Sequence, residues 1–191
     1  MSEKHSVFNK IKSVLIRGEV VATPTDTVWG LAVLPFVDGA IEKLFQIKKR
    51  PIDKKIPLLV SGIEMTKKLC VVDGEIEKLL NKYWPGALTV ELKKKINNER
   101  IAIRMPSDDQ LLELIEYLKE PLAVTSANLS GEAEINDCQK LQGKFGSQIG
   151  YYWDRETIFS GKASTLVDLS ISPFVVLRQG DIQIAEFMEK E

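Results

Sequence analysis

Six polar clusters of this 191-residue chain stand at the ends of strand-like runs: Thr25-Asp26-Thr27, the basic stretch Lys48 to Lys54, Arg104, Ser126-Ala127-Asn128, Ser164-Thr165 and Arg178. In open α/β sheets ligands bind beyond the strand ends, so such clusters can converge on one cleft. Arg104 and Arg178 each follow apolar strand residues, and an arginine desolvated there needs a carboxylate or a phosphate beside it. That partner can be a bound ligand, or it can be internal, with Asp26, Asp53 and Asp168 as candidates. Thr25 to Thr27 can equally be a plain turn, and Ser126 to Asn128 the cap of the next helix.

The rest of the composition narrows the chemistry. The one histidine, His5, falls in a terminus expected to fray, which argues against histidine triads, histidine general bases and histidine zinc sites. Cys70 and Cys138 lie far apart in helix-like sequence and read as packing residues, neither a disulfide nor a metal site. Gly161-Lys162-Ala163-Ser164 has the lysine of a phosphate-binding loop without the earlier glycine, and no Gly-x-Gly-x-x-Gly occurs. A nucleotide would therefore be held by arginine, lysine and hydroxyl side chains.

Hydrophobic residues make up 44% and charged residues 28%, the balance of a chain with a real core. No apolar run approaches the roughly 18 residues of a membrane span. Residues Met1 to Lys12 lack the apolar stretch and cleavage site of a signal peptide, so a cytoplasmic location is expected. With 26 basic and 27 acidic residues the net charge is −1, which argues against an obligate polyanion coat. Locally, Lys43 to Lys68 carries eight basic residues against Asp53 and Glu64, while the last eleven residues are acidic.

Hydropathy patterning supplies the elements that must position these clusters. Val7, Ile11, Val14 and Leu15 predict an opening helix that stops at Gly18. Strands follow at Glu19 to Thr23 and Val28 to Val33, and then a helix capped by Asp38 with Ile41, Leu44 and Phe45 on one face. Ile56 to Val60 reads as a buried strand, and helices follow at about Ile63 to Leu69 and Glu75 to Tyr83. Leu88 to Leu92 alternates as a strand and pairs with Ile101 to Arg104 across an Asn97-Asn98 turn. Ser107 with Gln110 has the form of a capping box for a helix burying Leu111, Leu112, Ile115 and Leu118. Pro121 to Thr125 is a further strand, Asp137 to Phe145 a weak helix, and Ser164 to Leu169 and Phe174 to Leu177 late strands before an acidic tail helix. Interleaved strands and helices with at least one hairpin predict one α/β domain over residues 1–191, a mixed sheet with flanking helices.

Seven segments in this order resemble the YrdC/TsaC family: Pro24 to Leu31 (PTDTVWGL), Lys48 to Pro51 (KKRP), Trp84 to Thr89 (WPGALT), Ile103 to Pro106 (IRMP), Thr125 to Gly131 (TSANLSG), Ser164 to Asp168 (STLVD) and Leu177 to Gly180 (LRQG). The resemblance implies a twisted, open mixed sheet with a positively charged concave cleft. It implies an enzyme that joins L-threonine, bicarbonate and ATP into L-threonylcarbamoyladenylate with release of pyrophosphate, Mg2+ entering with ATP and held by no dedicated protein ligand. The product would pass to a tRNA-modifying threonylcarbamoyl transferase complex. An anionic carbamate attacking a phosphoryl centre needs cations more than a strong base, which agrees with a site rich in Arg and Lys and free of histidine.

By the same resemblance Lys48 and Arg50 meet the phosphates as the catalytic pair, and Thr27, Arg104 and Ser164 bind threonine, with Arg104 on its carboxylate. Arg50, Lys54, Ser126, Asn128, Asn136 and Arg178 bind ATP. Three positions depart from the family pattern. Asn136 stands where many relatives have threonine, Arg100 replaces a small hydroxyl residue, and Leu59 replaces a histidine, leaving an apolar or backbone contact. Two rivals remain: a double-stranded RNA- or tRNA-binding module using the basic cleft, and the related activity of hydrogenase-maturation proteins, whose zinc-finger and acylphosphatase segments are missing from this sequence. Trp29, Trp84 and Trp153 sit in contexts of packing rather than base stacking, which weighs against the first.

Overall fold

The computed structural model describes residues 3–49, 51, 55–158 and 160–184. Helix α1 (Glu3–Leu15) buries Phe8, Ile11, Val14 and Leu15, the stripe that a 3.6-residue period places on one side. The chain turns at Gly18, whose φ of +69° suits a residue without Cβ. His5 lies within α1, not in a frayed end, with its ring edge-on to Tyr117 at 6.3 Å.

Strands β1 (Val21–Pro24) and β2 (Trp29–Val33) form an antiparallel hairpin around the Thr25–Thr27 turn. Helix α2 (Ala40–Lys48) starts at Gly39, in a left-handed conformation (φ +75°), and has no side-chain cap; the cap expected from Asp38 is not made. Strand β3 (Leu58–Leu59), α3 (Ile63–Leu69) and α4 (Gly74–Tyr83) follow, α4 being capped by the Asp73 carboxylate on the amides of Glu75 and Ile76. The expected hairpin is β4 (Leu88–Lys93) with β5 (Arg100–Arg104).

Helix α5 (Asp109–Leu118) is capped by Asp108, which accepts from the Leu111 amide at 3.0 Å, and not by Ser107. The Ser107 amide is instead engaged by the Asp26 carboxylate at 3.0 Å, which keeps Ser107 outside the helix. The buried stripe is Leu111, Leu114, Ile115 and Leu118; Leu112 lies only half inside. After β6 (Leu122–Ser126) and α6 (Cys138–Phe145) comes β7 (Tyr151–Tyr152), too short to leave a pattern in the sequence. The strands β8 (Thr165–Asp168) and β9 (Val175–Arg178) complete the sheet. The expected acidic tail helix falls on residues 185–191, outside the described residues.

Among the described residues the sheet has the order β7-β1-β2-β6-β3-β5-β4-β8-β9, with β1/β7, β3/β5 and β4/β8 parallel and the other neighbours antiparallel. One face is covered along its length by α2, α4 and α6 with a core that includes Leu44, Leu80, Leu88, Val90, Ile103 and Leu141. On the other face α1 and α5 pack over Val21, Ala32, Leu34, Leu59, Leu122, Val124 and Trp153.

Register decides what happens next to that cover. Leu59 stands opposite Arg104, Arg104 opposite Thr89, and Thr89 opposite Leu166, while Ala102 stands opposite Glu91. Cross-strand partners point to the same side of a sheet. Among the described residues, the face that α1 and α5 cover over β1, β2 and β6 therefore continues without a helix over β5, β4 and β8, and the polar side chains of those strands form its floor.

Candidate functional site

A cleft of about 320 Å3 occupies that face, lined by Thr25, Thr27, Thr89, Thr125, Ser126 and Ser164, by Arg104, Arg178 and Lys55, and by Glu91 and Glu134. Leu59, Gly30 and Val124 complete its apolar wall, so the residue standing in place of a histidine makes an apolar contact with the cleft.

At one end lies the β1–β2 turn. Thr25 folds it locally: its hydroxyl donates to Val28 O at 2.7 Å and accepts from the amides of Thr27 and Val28. Its single hydrogen being spent on Val28, the Thr27 hydroxyl donates to Thr25 Oγ1 at 3.1 Å. Arg104, at the cleft end of β5, donates from Nη1 to Thr27 Oγ1 (3.0 Å), from Nη2 to Asp26 Oδ2 (2.6 Å) and from Nε to Gly86 O (2.9 Å). Of the partners left open by the sequence, Asp26 is thus the internal one for Arg104. Burial pushes the Arg104 guanidinium below its usual value and the Asp26 charge opposes that. Arginine has five N–H groups, so Arg104 retains two beyond these three bonds for a further acceptor.

At the second wall Ser164 Oγ and Thr89 Oγ1 are 2.7 Å apart. Arg178 donates from Nε and Nη2 to Ser164 O at 3.1 and 2.9 Å, with Nη2 also 3.3 Å from Ser164 Oγ. Among the described residues neither Asp26 nor Asp168 pairs with Arg178, and Asp53 lies outside them. Its approach requires Gly180, where an added Cβ would stand 2.2 Å from Ala163 O.

The Ser126–Asn128 loop is organised from behind. Lys48 is 1% exposed, and its ammonium donates to Ser126 O, to Asn128 O at 2.8 Å and to Asn128 Oδ1 at 2.9 Å. Ser126 Oγ donates to the same Oδ1, and the Asn128 amide donates to Glu132 O. These bonds hold the loop open against β2, and the cap of α6 comes from Asp137, not from this segment.

Thr27, Arg104, Ser126, Ser164 and Arg178 are thereby gathered around one cleft. Lys48 and Asn128 lie under its wall, and exposed Asn136 accepts from the Trp29 amide at 3.2 Å. Arg50 and Lys54 lie outside the described residues. Sequence reasoning assigned no role to Thr89, Lys55, Glu91 or Glu134; the alternation of β4 and the basic run held a signal for the first three, and Glu134, in a loop, left none. Arg100 turns from substrate chemistry to Asp168, at 2.7 Å. Trp29, Trp84 and Trp153 are buried, and so are both cysteines, whose thiols burial pushes up to about 11. No described helix is long and apolar enough to cross a membrane.

An open, twisted mixed sheet, helix-covered on one face and half-covered on the other, with arginines and hydroxyls on its free surface, defines an α/β protein with a polar cleft at the strand ends. The chain belongs to the Sua5/YciO/YrdC family, whose model, described as telomere recombination, matches residues 13–180. It is 32% identical over 178 residues to a Pyrococcus abyssi protein named threonylcarbamoyl-AMP synthase, covering 88% of this chain and 52% of that one. The chain thus spans about half the length of that relative. A Pseudoalteromonas translucida protein of the same name is 31% identical over 180 residues, covering 88% of this chain and 95% of its own. The crystal structure of P. abyssi Sua5 complexed with L-threonine superposes with a TM-score of 0.86 at 30% identity, covering 94% of this chain and 55% of that one.

Proposed function

We propose that the chain is an L-threonylcarbamoyladenylate synthase, an enzyme of the nucleotidyltransferase class that takes L-threonine, bicarbonate and ATP. The observation that carries this reading is the Arg104–Thr27 pair at the cleft end: a guanidinium with N–H groups to spare beside a hydroxyl, facing Ser164 and Arg178 across the floor. The names of the relatives and the threonine complex of the P. abyssi protein support the same substrate.

In this reading Arg104 receives the amino-acid carboxylate, a fork matched to a planar anion. Thr27 and Ser164 receive the remaining polar groups. The threonine nitrogen takes up the carbon of bicarbonate with loss of water, forming an N-carboxylate. A carboxylate oxygen then attacks the α-phosphorus of ATP, and the bond to the bridging oxygen breaks as pyrophosphate leaves. The nucleophile already bears its charge, so protein cations stabilise what accumulates on the phosphate oxygens. Arg178 and the Ser126 loop serve the nucleotide side, with Arg50 and Lys54 assigned there by the family pattern. Mg2+ enters as part of the substrate MgATP. The product goes to a tRNA-modifying threonylcarbamoyl transferase complex, and any RNA binding by this chain is weak.

Pyrophosphate release followed with each of the twenty amino acids tests the assignment. Release that requires threonine and is stimulated by bicarbonate is expected; equal release with serine, or with no amino acid, overturns it.

A further inference from the structure

The strap joining β7 to β8 carries a second buried ion pair, outside the cleft lining. Arg155 and Asp108 have side chains 7% and 4% exposed and meet at 2.8 Å. Arg155 Nη2 donates to Asp108 Oδ2 and to Pro24 O (3.1 Å), and Nη1 donates to Thr157 Oγ1 (3.0 Å). Its guanidinium stacks 4.4 Å above the Trp153 ring. Asp108 is fixed in turn: Oδ1 caps α5 and Oδ2 also accepts from Thr157 Oγ1.

The strap holds the β1–β2 turn by its main chain. Pro24 O accepts from Arg155, Asp26 O from the Ser160 amide at 2.9 Å, and Thr27 O from the Gly161 amide at 3.1 Å. The strap then runs directly into Ser164. Arg104 grips the same turn from the cleft side through the side chains of Asp26 and Thr27. Two arginines therefore hold three residues of this segment, Arg155 at Pro24 and Arg104 at Asp26 and Thr27, and the loop joining β5 to α5 carries both anchors, since the Ser107 amide bonds Asp26 and the next residue is Asp108.

A buried ion pair is a poor source of stability, because desolvating two charges offsets their attraction. Here satisfaction is also incomplete: Arg155 Nε and Asp26 Oδ1 are buried without a partner among the described residues. Geometry is what such a pair supplies. We propose that Arg155, seated on Asp108, is a positioning residue for the amino-acid end of the cleft, setting the Thr25–Thr27 turn and Ser164 at the spacing that a threonine needs. This rests on the threonine reading above.

Steady-state pyrophosphate release by wild type, Arg155→Leu and Arg155→Lys, with threonine and MgATP varied separately, tests it. Lysine keeps a positive charge facing Asp108 but cannot reproduce a fork that reaches Pro24 O, Thr157 and the carboxylate together. Both variants are expected to raise the threonine KM about tenfold or more and leave the ATP KM unchanged, because misplacement by an ångström or less acts on the group being positioned. If Arg155→Leu fails to fold, Arg155→Lys carries the test. Wild-type threonine KM in Arg155→Lys, or a parallel rise of both KM values, overturns the positioning role alone. Wild type that needs no threonine overturns the functional reading, and the positioning role with it.

Discussion

Arg104 Nη2 and Asp26 Oδ2 lie 2.6 Å apart with side chains 7% and 12% exposed, so the arginine proposed to receive the substrate carboxylate is itself held by a carboxylate. In Arg104→Leu the Asp26 charge stays buried without its partner, at a cost of about 3–5 kcal/mol. Thermal melting is expected to fall by roughly 10 °C for a chain of this size. The double variant Arg104→Leu/Asp26→Asn removes the stranded charge and should recover most of that loss without recovering threonine-dependent turnover. A double variant as unstable as the single one would show that the pair's role is not electrostatic.

Lys48 calls for a different expectation from that of a phosphate-contacting lysine. Its ammonium is bonded to Ser126 O, Asn128 O and Asn128 Oδ1 beneath the cleft wall. Lys48→Met fills the volume but removes three charge-assisted bonds and leaves Asn128 O without its ammonium donor, while Asn128 Oδ1 keeps Ser126 Oγ and Ser126 O keeps the Asn128 amide, at a cost of about 1–3 kcal/mol. Chemical denaturation should show that loss together with reduced turnover. Unchanged stability with abolished turnover would instead put Lys48 in contact with substrate.

Gly180 passes so close to residues 163–165 that a Cβ would stand 2.4 Å from Ser164 C and 2.5 Å from Thr165 N. Gly180→Ala must push β9 away and draw Arg178 off Ser164, with a loss of about 1–3 kcal/mol and a matching fall in activity. Gly143→Ala is the control, because its Cβ would enter open space within α6. There, a gain of about 0.5–1 kcal/mol from helix propensity is expected. Equal melting temperatures for the two variants would refute the steric account.

Asp168 sets an acid limit. Burial raises its pKa, but bonds from Ser170 Oγ and N and from the Arg100 guanidinium outweigh that and hold the carboxyl below its ordinary value. A carboxylate depressed in the folded state contributes stability above its unfolded pKa, and that contribution disappears as pH falls through the folded value. Asp168→Asn should therefore be less stable than wild type at neutral pH, with the difference shrinking below about pH 4. Urea unfolding across this range checks the sign; a difference that widens on acidification contradicts it.

How much of this was legible beforehand follows from how local each cause is. Helices α1, α4 and α5 and the β4–β5 hairpin rest on apolar spacing, turn residues and caps within a few positions of one another, so periodicity finds them. Where a local cap was misread, at Ser107, the reason was distant: the Asp26 carboxylate takes its amide from 81 residues away. Strand β7, with two residues, exists only because β1 offers it an edge.

The site divides along the same line. Residue types alone pointed the proposed chemistry to arginine, lysine and hydroxyl groups, since the sequence has one histidine and no phosphate-binding-loop motif, and the motif order indicated the family. Only the tertiary structure decided which charged groups face the cleft and which brace it. Arg104 and Lys48 look equally available in sequence, yet β5 delivers one to the sheet face that lines the cleft while α2 buries the other beneath a loop. Register and layer coverage make that difference. Both arise from contacts between strands far apart in the chain, where no pattern of neighbouring residues records which side of the sheet a helix will cover.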